Sequence, residues 1–242
     1  PISLTSKPFS RYWIHNGLVK INGQKMSKSL GNGILLEDLL KKYHPDVIKM
    51  TMLLNNYKSD LNIVDGLFTT TEEQIYTIYK LLYLVNKLKG NIVSIKNSSE
   101  YQEVHNNFVH AMDSDFNTSS ALSYLFSYTT SINKALARKD YQKAVNYTSS
   151  IIDNYAVLGL FQDLPEKVVE EIKNKYLQKT IFTVEKINEL LTERTKFKNE
   201  KNYQEADKIR NYLIENGILV NDLGKEVEWD INSEFIKKEN NF

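Results

Sequence analysis

Apolar residues recur at helical spacing through the middle of this chain, and that periodicity constrains the fold more than any other feature. Ile75, Ile78, Tyr79, Leu82 and Val85 share one face of a helix that Gly90 closes. A second run carries Val104, Phe108 and Met112, and a third carries Leu122, Leu125, Phe126, Ile132 and Leu136. A fourth carries Ala144, Tyr147, Ile151, Tyr155 and Leu158, before Gly159. Four amphipathic helices can hide their stripes only against one another, so residues 66–161 are expected to form a helical bundle. Only 9 Gly and 4 Pro occur in 242 residues, too few for a turn-rich all-β fold. Tyr76, Tyr79, Tyr83, Tyr124, Tyr128 and Tyr147 lie on the stripes, where packing is their expected use.

The flanks read differently. Arg11–Ile21 alternates and is β-capable, with Trp13, Leu18, Val19 and Ile21 among polar partners, and Asn22-Gly23 signals a turn. Leu36, Leu39, Leu40 and Tyr43 fall at helical spacing, and Pro45 is placed to open a second helix. Residues 162–180 are charged and weakly periodic, which suggests a linker or a loose helix. Beyond them, Val184, Ile187, Leu190, Leu191 and Phe197 mark one helix, and Ala206, Ile209 and Leu213 another. Ile218–Val220 and Val227–Trp229 flank a turn at Asp222-Leu223-Gly224, so a hairpin is expected. The fold class is therefore mostly α, with a small α+β unit over 181–242.

No cysteine is present, which excludes disulfides, thiol catalysis and Cys-based zinc sites within these residues. No apolar run approaches the 18 or so residues that a membrane span needs. The chain opens on Pro1 rather than Met and reads as a processed or truncated sequence. The net charge of +1 hides an asymmetry: residues 1–60 hold nine Lys/Arg against four Asp/Glu. A basic first quarter points to phosphate handling.

The chemistry-bearing motif lies in that quarter. Lys25-Met26-Ser27-Lys28-Ser29, followed by Leu30-Gly31-Asn32, puts two ammonium groups three residues apart on a loop flanked by small residues. Lysine is a compact, mobile positive charge suited to phosphate oxygens. Two of them on a flexible loop can close on a triphosphate as negative charge gathers on the departing pyrophosphate. Ser27 and Ser29 can donate to phosphate or shape the loop.

K-M-S-K-S is the second signature of class I aminoacyl-tRNA synthetases, and the surrounding sequence resembles the cysteinyl-tRNA synthetase family. Tyr12-Trp13-Ile14-His15-Asn16-Gly17 resembles its Y-W-x-H-x-G, and Lys25–Asn32 matches K-M-S-K-S-L-G-N in full. Tyr57–Asn62 resembles Y-[RK]-S-x-L-[ND], and Ala111–Thr118 resembles A-[ML]-x-D-D-F-N-T. Ala206-Asp207-Lys208-Ile209-Arg210, Gly217-Ile218 and Trp229 resemble its C-terminal pattern. An H-I-G-H motif and the family's zinc ligands are missing; His105 and His110, five apart, suit a surface or structural role.

The resemblance implies the C-terminal half of such an enzyme. Residues 1–33 would end the catalytic domain, 34–65 would form a connecting, stem-contact-like helical region, and 66–161 the bundle. Residues 162–180 would be the linker and 181–242 the anticodon-binding domain. It implies ATP contacts from Lys25, Met26, Ser27, Lys28 and Ser29, with Lys25 and Lys28 catalytic. It also implies ATP with Mg as substrate, zinc held by ligands absent here, and tRNA(Cys) and cysteine as partners of a cytoplasmic monomer. For the anticodon, Lys198, Tyr203, Asp207, Asp222 and Trp229 supply charge, stacking and acceptors, with a core position the alternative for Trp229. Asn117 or Thr118 is expected to cap a helix starting near Ser120, with Phe116 as its hydrophobic staple. The 242 residues alone are expected to be inactive. Two other readings stand beside this one: a non-enzymatic RNA-binding or scaffold chain, and a piece of another class I synthetase.

Overall fold

The computed structural model describes residues 8–223 and 226–232. Strands β1 (Val19–Ile21) and β2 (Gln24–Lys25) pair antiparallel, and β3 (Leu61–Ile63) joins β1 in parallel, giving the order β2-β1-β3. The turn between β1 and β2 needs positive φ at both positions, which Asn22 (49°) and Gly23 (83°) supply. The β-capable stretch from Arg11 shrinks to three strand residues, because nothing among the described residues buries alternate side chains before Leu18. Tyr12, Trp13 and Ile14 are 83%, 67% and 60% exposed.

Helices α1 (Leu36–Lys42) and α2 (Pro45–Leu53) follow. Pro45 opens α2 as expected, and His44 caps it, its Nδ1 accepting from the Asp46 amide at 3.3 Å. The bundle is α3 (Leu67–Leu88), α4 (Ser99–Asp113), α5 (Thr118–Ala137) and α6 (Tyr141–Tyr155), which carries on into a 3-10 turn over Ala156–Leu158. Ser98, Asn117 and Asp140 each cap a helix by accepting from the amide three residues on. Asn117 is thus the cap that the sequence suggests, one residue before the helix begins. Phe116 is not the staple: at φ +52° its ring turns outward and is 55% exposed.

The stripes meet as expected, burying Ile75, Leu82, Phe108, Leu122, Ile132 and Ile151. The buried tyrosines pack with them and their hydroxyls find partners: Tyr155 donates to the Ala121 carbonyl at 2.6 Å, and Tyr128 accepts from Asn107 at 2.9 Å. Of the two readings of residues 162–180, the helix is the one that forms, and it is packed rather than loose: α7 (Pro165–Leu177) buries Val168, Val169, Ile172, Tyr176 and Leu177 and packs along α3. Glu72 of α3 lies buried between them, accepting from Lys175 at 2.7 Å and from the Tyr176 hydroxyl. A charged sequence thus hides a helix with a buried apolar face, one of whose lysines, Lys175, pairs with the neighbouring helix.

The C-terminal unit holds α8 (Val184–Asn199), α9 (Tyr203–Glu215), β4 (Ile218–Leu223) and β5 (Glu226–Ile231), the strands pairing antiparallel as the hairpin that the sequence implies. Gly217 has φ +85° after the α9 cap. Gly224 of the expected turn lies outside the described residues. No helix among the described residues is long and apolar enough to cross a membrane.

Candidate nucleotide loop and RNA-facing surface

The K-M-S-K-S loop begins on β2 and is tied down at both ends. The Met26 amide donates to the Val19 carbonyl at 3.0 Å, continuing the β1–β2 pairing. Asn32 then closes the loop, its Oδ1 accepting from the Ser27 amide at 2.9 Å and its Nδ2 donating to the Lys25 carbonyl at 3.3 Å. Ser27 Oγ accepts from the Leu30 amide at 3.3 Å and lies 3.2 Å from Ser29 Oγ. The serines therefore shape the loop. Lys25 and Lys28 are exposed, and neither has an ion-pair partner among the described residues. A shaped backbone carrying two available ammonium groups is what closing on a polyphosphate requires. Asn32 stood inside the recognised motif, but nothing in the sequence assigned it the clamp.

Two further motifs brace this loop. Asp60 accepts from the Leu18 amide at 2.8 Å and pairs with Lys20 at 2.7 Å, and Asn62 accepts from the Gly23 amide at 2.8 Å. The hydrogen bond from Lys20, with the one from Leu18, holds the Asp60 carboxyl below its ordinary range. Gly17 donates to the Tyr57 carbonyl at 2.8 Å, and a Cβ at Gly17 would stand 2.1 Å from the Ser59 carbonyl oxygen. Gly17→Ala is therefore expected to force the two segments apart and cost about 1–3 kcal/mol. Urea unfolding checks the cost, with faster amide exchange at Met26 and Ser27 as the sign that the loop has loosened. Wild-type stability and exchange would sink the assignment. On the far side, Asp115 accepts from the Tyr57 hydroxyl at 2.8 Å and pairs with Lys58. Tyr57–Asn62 and Ala111–Thr118, distant in sequence, are thus one connected structure.

The candidate anticodon residues are only partly brought together. Tyr203 (59% exposed) and Asp207 lie four residues apart on α9, hence on one face. Lys198 on α8 pairs with Asp222 on β4 at 3.1 Å. Asp222 is more engaged than the sequence suggested: Arg194 grips it through its two terminal guanidinium nitrogens at 2.8 and 2.9 Å. Those hydrogen bonds hold its carboxyl well below the usual carboxylate range. Arg194 is 2% exposed although it lies in a charged stretch of the sequence. Trp229 is half-buried on β5 and lines a cleft of about 680 Å³ together with Asp222 and Arg210. His105 has a local role, its Nδ1 lying 2.8 Å from Asn154 Oδ1.

Residues 2–73 match the catalytic domain of class I (C) tRNA synthetases, and residues 107–162 match the DALR domain. The cysteine–tRNA ligase of Thermodesulfovibrio yellowstonii is 32% identical over 241 residues, which is 95% of this chain and 49% of that protein. This chain belongs to the cysteine–tRNA ligase family. The ligase of Francisella tularensis subsp. novicida is 34% identical over 222 residues, 91% of this chain and 45% of its own length. The chain thus spans about half the length of the curated relatives it matches. The catalytic-domain match covers the sheet, the loop and the Tyr57–Asn62 brace; the DALR match runs from the second half of α4 through α5 and α6.

Proposed function

We propose that this chain supplies the K-M-S-K-S loop and the tRNA-binding parts of a cysteine–tRNA ligase. The parent reaction joins cysteine to ATP, giving cysteinyl-adenylate and pyrophosphate, and then passes the cysteinyl group to the 3′ end of tRNA(Cys). Lys25 and Lys28 would approach the triphosphate as the α–β phosphate bond breaks, each neutralising charge that grows towards the transition state. A contact of that kind contributes about 3 kcal/mol to the rate. Met26, Ser27 and Ser29 would complete the ATP-facing loop. Magnesium would accompany ATP, and the zinc expected of the parent enzyme would be held by ligands that these residues do not supply. The proposed setting is the cytoplasm, with the protein acting as a monomer.

The observation that carries this reading is the Asn32-clamped loop with its two available lysines, on a chain related to cysteine–tRNA ligases across nearly its whole length. The domain reading becomes 1–33 and 34–65 as catalytic end and connector, 66–161 as bundle, and 181–242 as the anticodon-binding part. In that part Tyr203 would stack on a base while Asp207 accepts from a base amino group, with Lys198, Asp222 and Trp229 bordering them.

Two measurements test the proposal. The chain alone is expected to give no ATP–pyrophosphate exchange with cysteine, and exchange would overturn its division of labour. It is expected to bind tRNA(Cys) more tightly than a transcript with a substituted anticodon, and Tyr203→Ala is expected to weaken cognate binding by about tenfold or more. Binding indifferent to both changes would favour an RNA-binding scaffold and remove the anticodon assignment.

A further inference from the structure

The cleft between the bundle and the C-terminal hairpin is lined by both basic and acidic side chains, and three of its lysines are engaged with β5. Lys80 of α3 pairs with Asp230 of β5, and Lys87 of α3 pairs with Glu228 of β5. Lys173 of α7 donates to the Trp229 carbonyl at 3.0 Å and lies 3.8 Å over the Trp229 ring. In each of these contacts the donor belongs to the bundle side and the acceptor to β5. Asp230 is the centre: it is 5% exposed, and it accepts from the Tyr76 hydroxyl and from the Ile231 amide at 2.8 Å as well as from Lys80. A carboxylate so buried is tolerable only while its partners stay in place. Burial and the neighbouring carboxylate push the Tyr76 phenol well above its ordinary range, which keeps it a neutral donor. Burial also pushes the Lys173 ammonium below its ordinary value.

We propose that Asp230 is a positioning residue: with Tyr76 and Lys80 it latches the C-terminal unit onto the bundle and so fixes where α8 and α9 stand relative to the loop end of the molecule. The latch rests on the RNA reading above only for its binding consequence. An RNA that touches both the bundle and the C-terminal unit binds best when the two surfaces are held in one geometry. Loosening the joint lowers the effective concentration of the second contact without changing either surface.

The absence of cysteine allows labelling at introduced positions alone. Ser123→Cys on α5 and Glu193→Cys on α8, both exposed, would carry spin labels for pulsed distance measurement. The otherwise unaltered chain is expected to give one narrow distance distribution. Asp230→Ala is expected to broaden it, and so is Tyr76→Phe with Lys80→Met, which opens the same joint without touching the hairpin. A narrow distribution retained in either variant overturns the latch. In the binding arm, both variants are expected to bind an isolated anticodon stem–loop like wild type and full-length tRNA(Cys) about tenfold more weakly. Equal loss for both RNAs, or loss for neither, overturns the positioning role. If wild type binds neither RNA, the RNA reading fails, and the distance measurement still decides the latch.

Discussion

Replacing Asp46 with alanine is expected to lower stability by about 3–5 kcal/mol and the melting temperature by about 10 °C. Asp46 is 1% exposed at the start of α2. One carboxylate oxygen accepts from the Tyr79 hydroxyl of α3 at 2.6 Å and from the Phe161 amide at 2.8 Å, and the other accepts from Lys49 at 3.2 Å. Lys49 also reaches the Gly159 carbonyl at 2.6 Å, so α2 is pinned both to α3 and to the segment after α6. Alanine leaves two buried donors without acceptors, and each unsatisfied group costs about 1–3 kcal/mol. Tyr79→Phe removes one donor and leaves the carboxylate two others, so it should cost much less. The double variant should then recover part of the Asp46→Ala loss. Chemical denaturation of the four proteins checks this, and a loss below about 1 kcal/mol for Asp46→Ala would show the junction to be dispensable.

Asp46 also shows what the sequence could and could not tell. It was visible there only as the residue after Pro45. Its partners lie 33 and 115 residues away, and no local pattern announces a contact at that separation. The bundle was legible because periodicity is a local property: the stripe from Ile75 to Val85 shows its buried face without reference to any partner. Helix α7 was legible only as one of two alternatives, a linker or a loose helix, because Lys173 and Lys175 crowd its apolar stripe and only Glu72 and Trp229 on other elements explain them. The same division runs through the site. Lys25 and Lys28 could be named from their spacing. The clamp by Asn32, the closeness of Gly17 to Ser59 and the joining of Tyr57 to Asp115 depend on how loops fold back. Family resemblance placed Lys198, Tyr203, Asp207 and Asp222 near one another, yet it could not show that Asp222 is occupied by a buried arginine.

That occupation sets the second large effect. Asp222→Ala should cost about 2–4 kcal/mol, mainly because it strands the Arg194 guanidinium, whose side chain is 3% exposed. The figure sits below that for a fully buried pair because the Asp222 side chain is 38% exposed and water can partly replace it. The pH dependence has a definite sign. Hydrogen bonds from Arg194 depress the native carboxyl, so near pH 4 the unfolded state binds more protons than the native one. The pair's stabilisation is therefore complete above about pH 5 and is lost as pH falls further. Wild type should lose more stability than Asp222→Ala between about pH 5 and pH 2, so the two curves converge in acid. Parallel curves would show that Arg194 does not hold this carboxyl. RNA binding then separates two roles for one residue. If Asp222 acts only by holding Arg194, binding by the folded fraction of Asp222→Ala stays close to wild type, while Tyr203→Ala loses affinity at unchanged stability. If Asp222 also meets a base, its loss weakens binding beyond what unfolding explains, and only for RNA with the cognate anticodon. Because its oxygens already accept from Arg194 and Lys198, the first outcome is expected, with Asp222 bracing the surface that Tyr203 and Asp207 would offer to RNA under the proposed function.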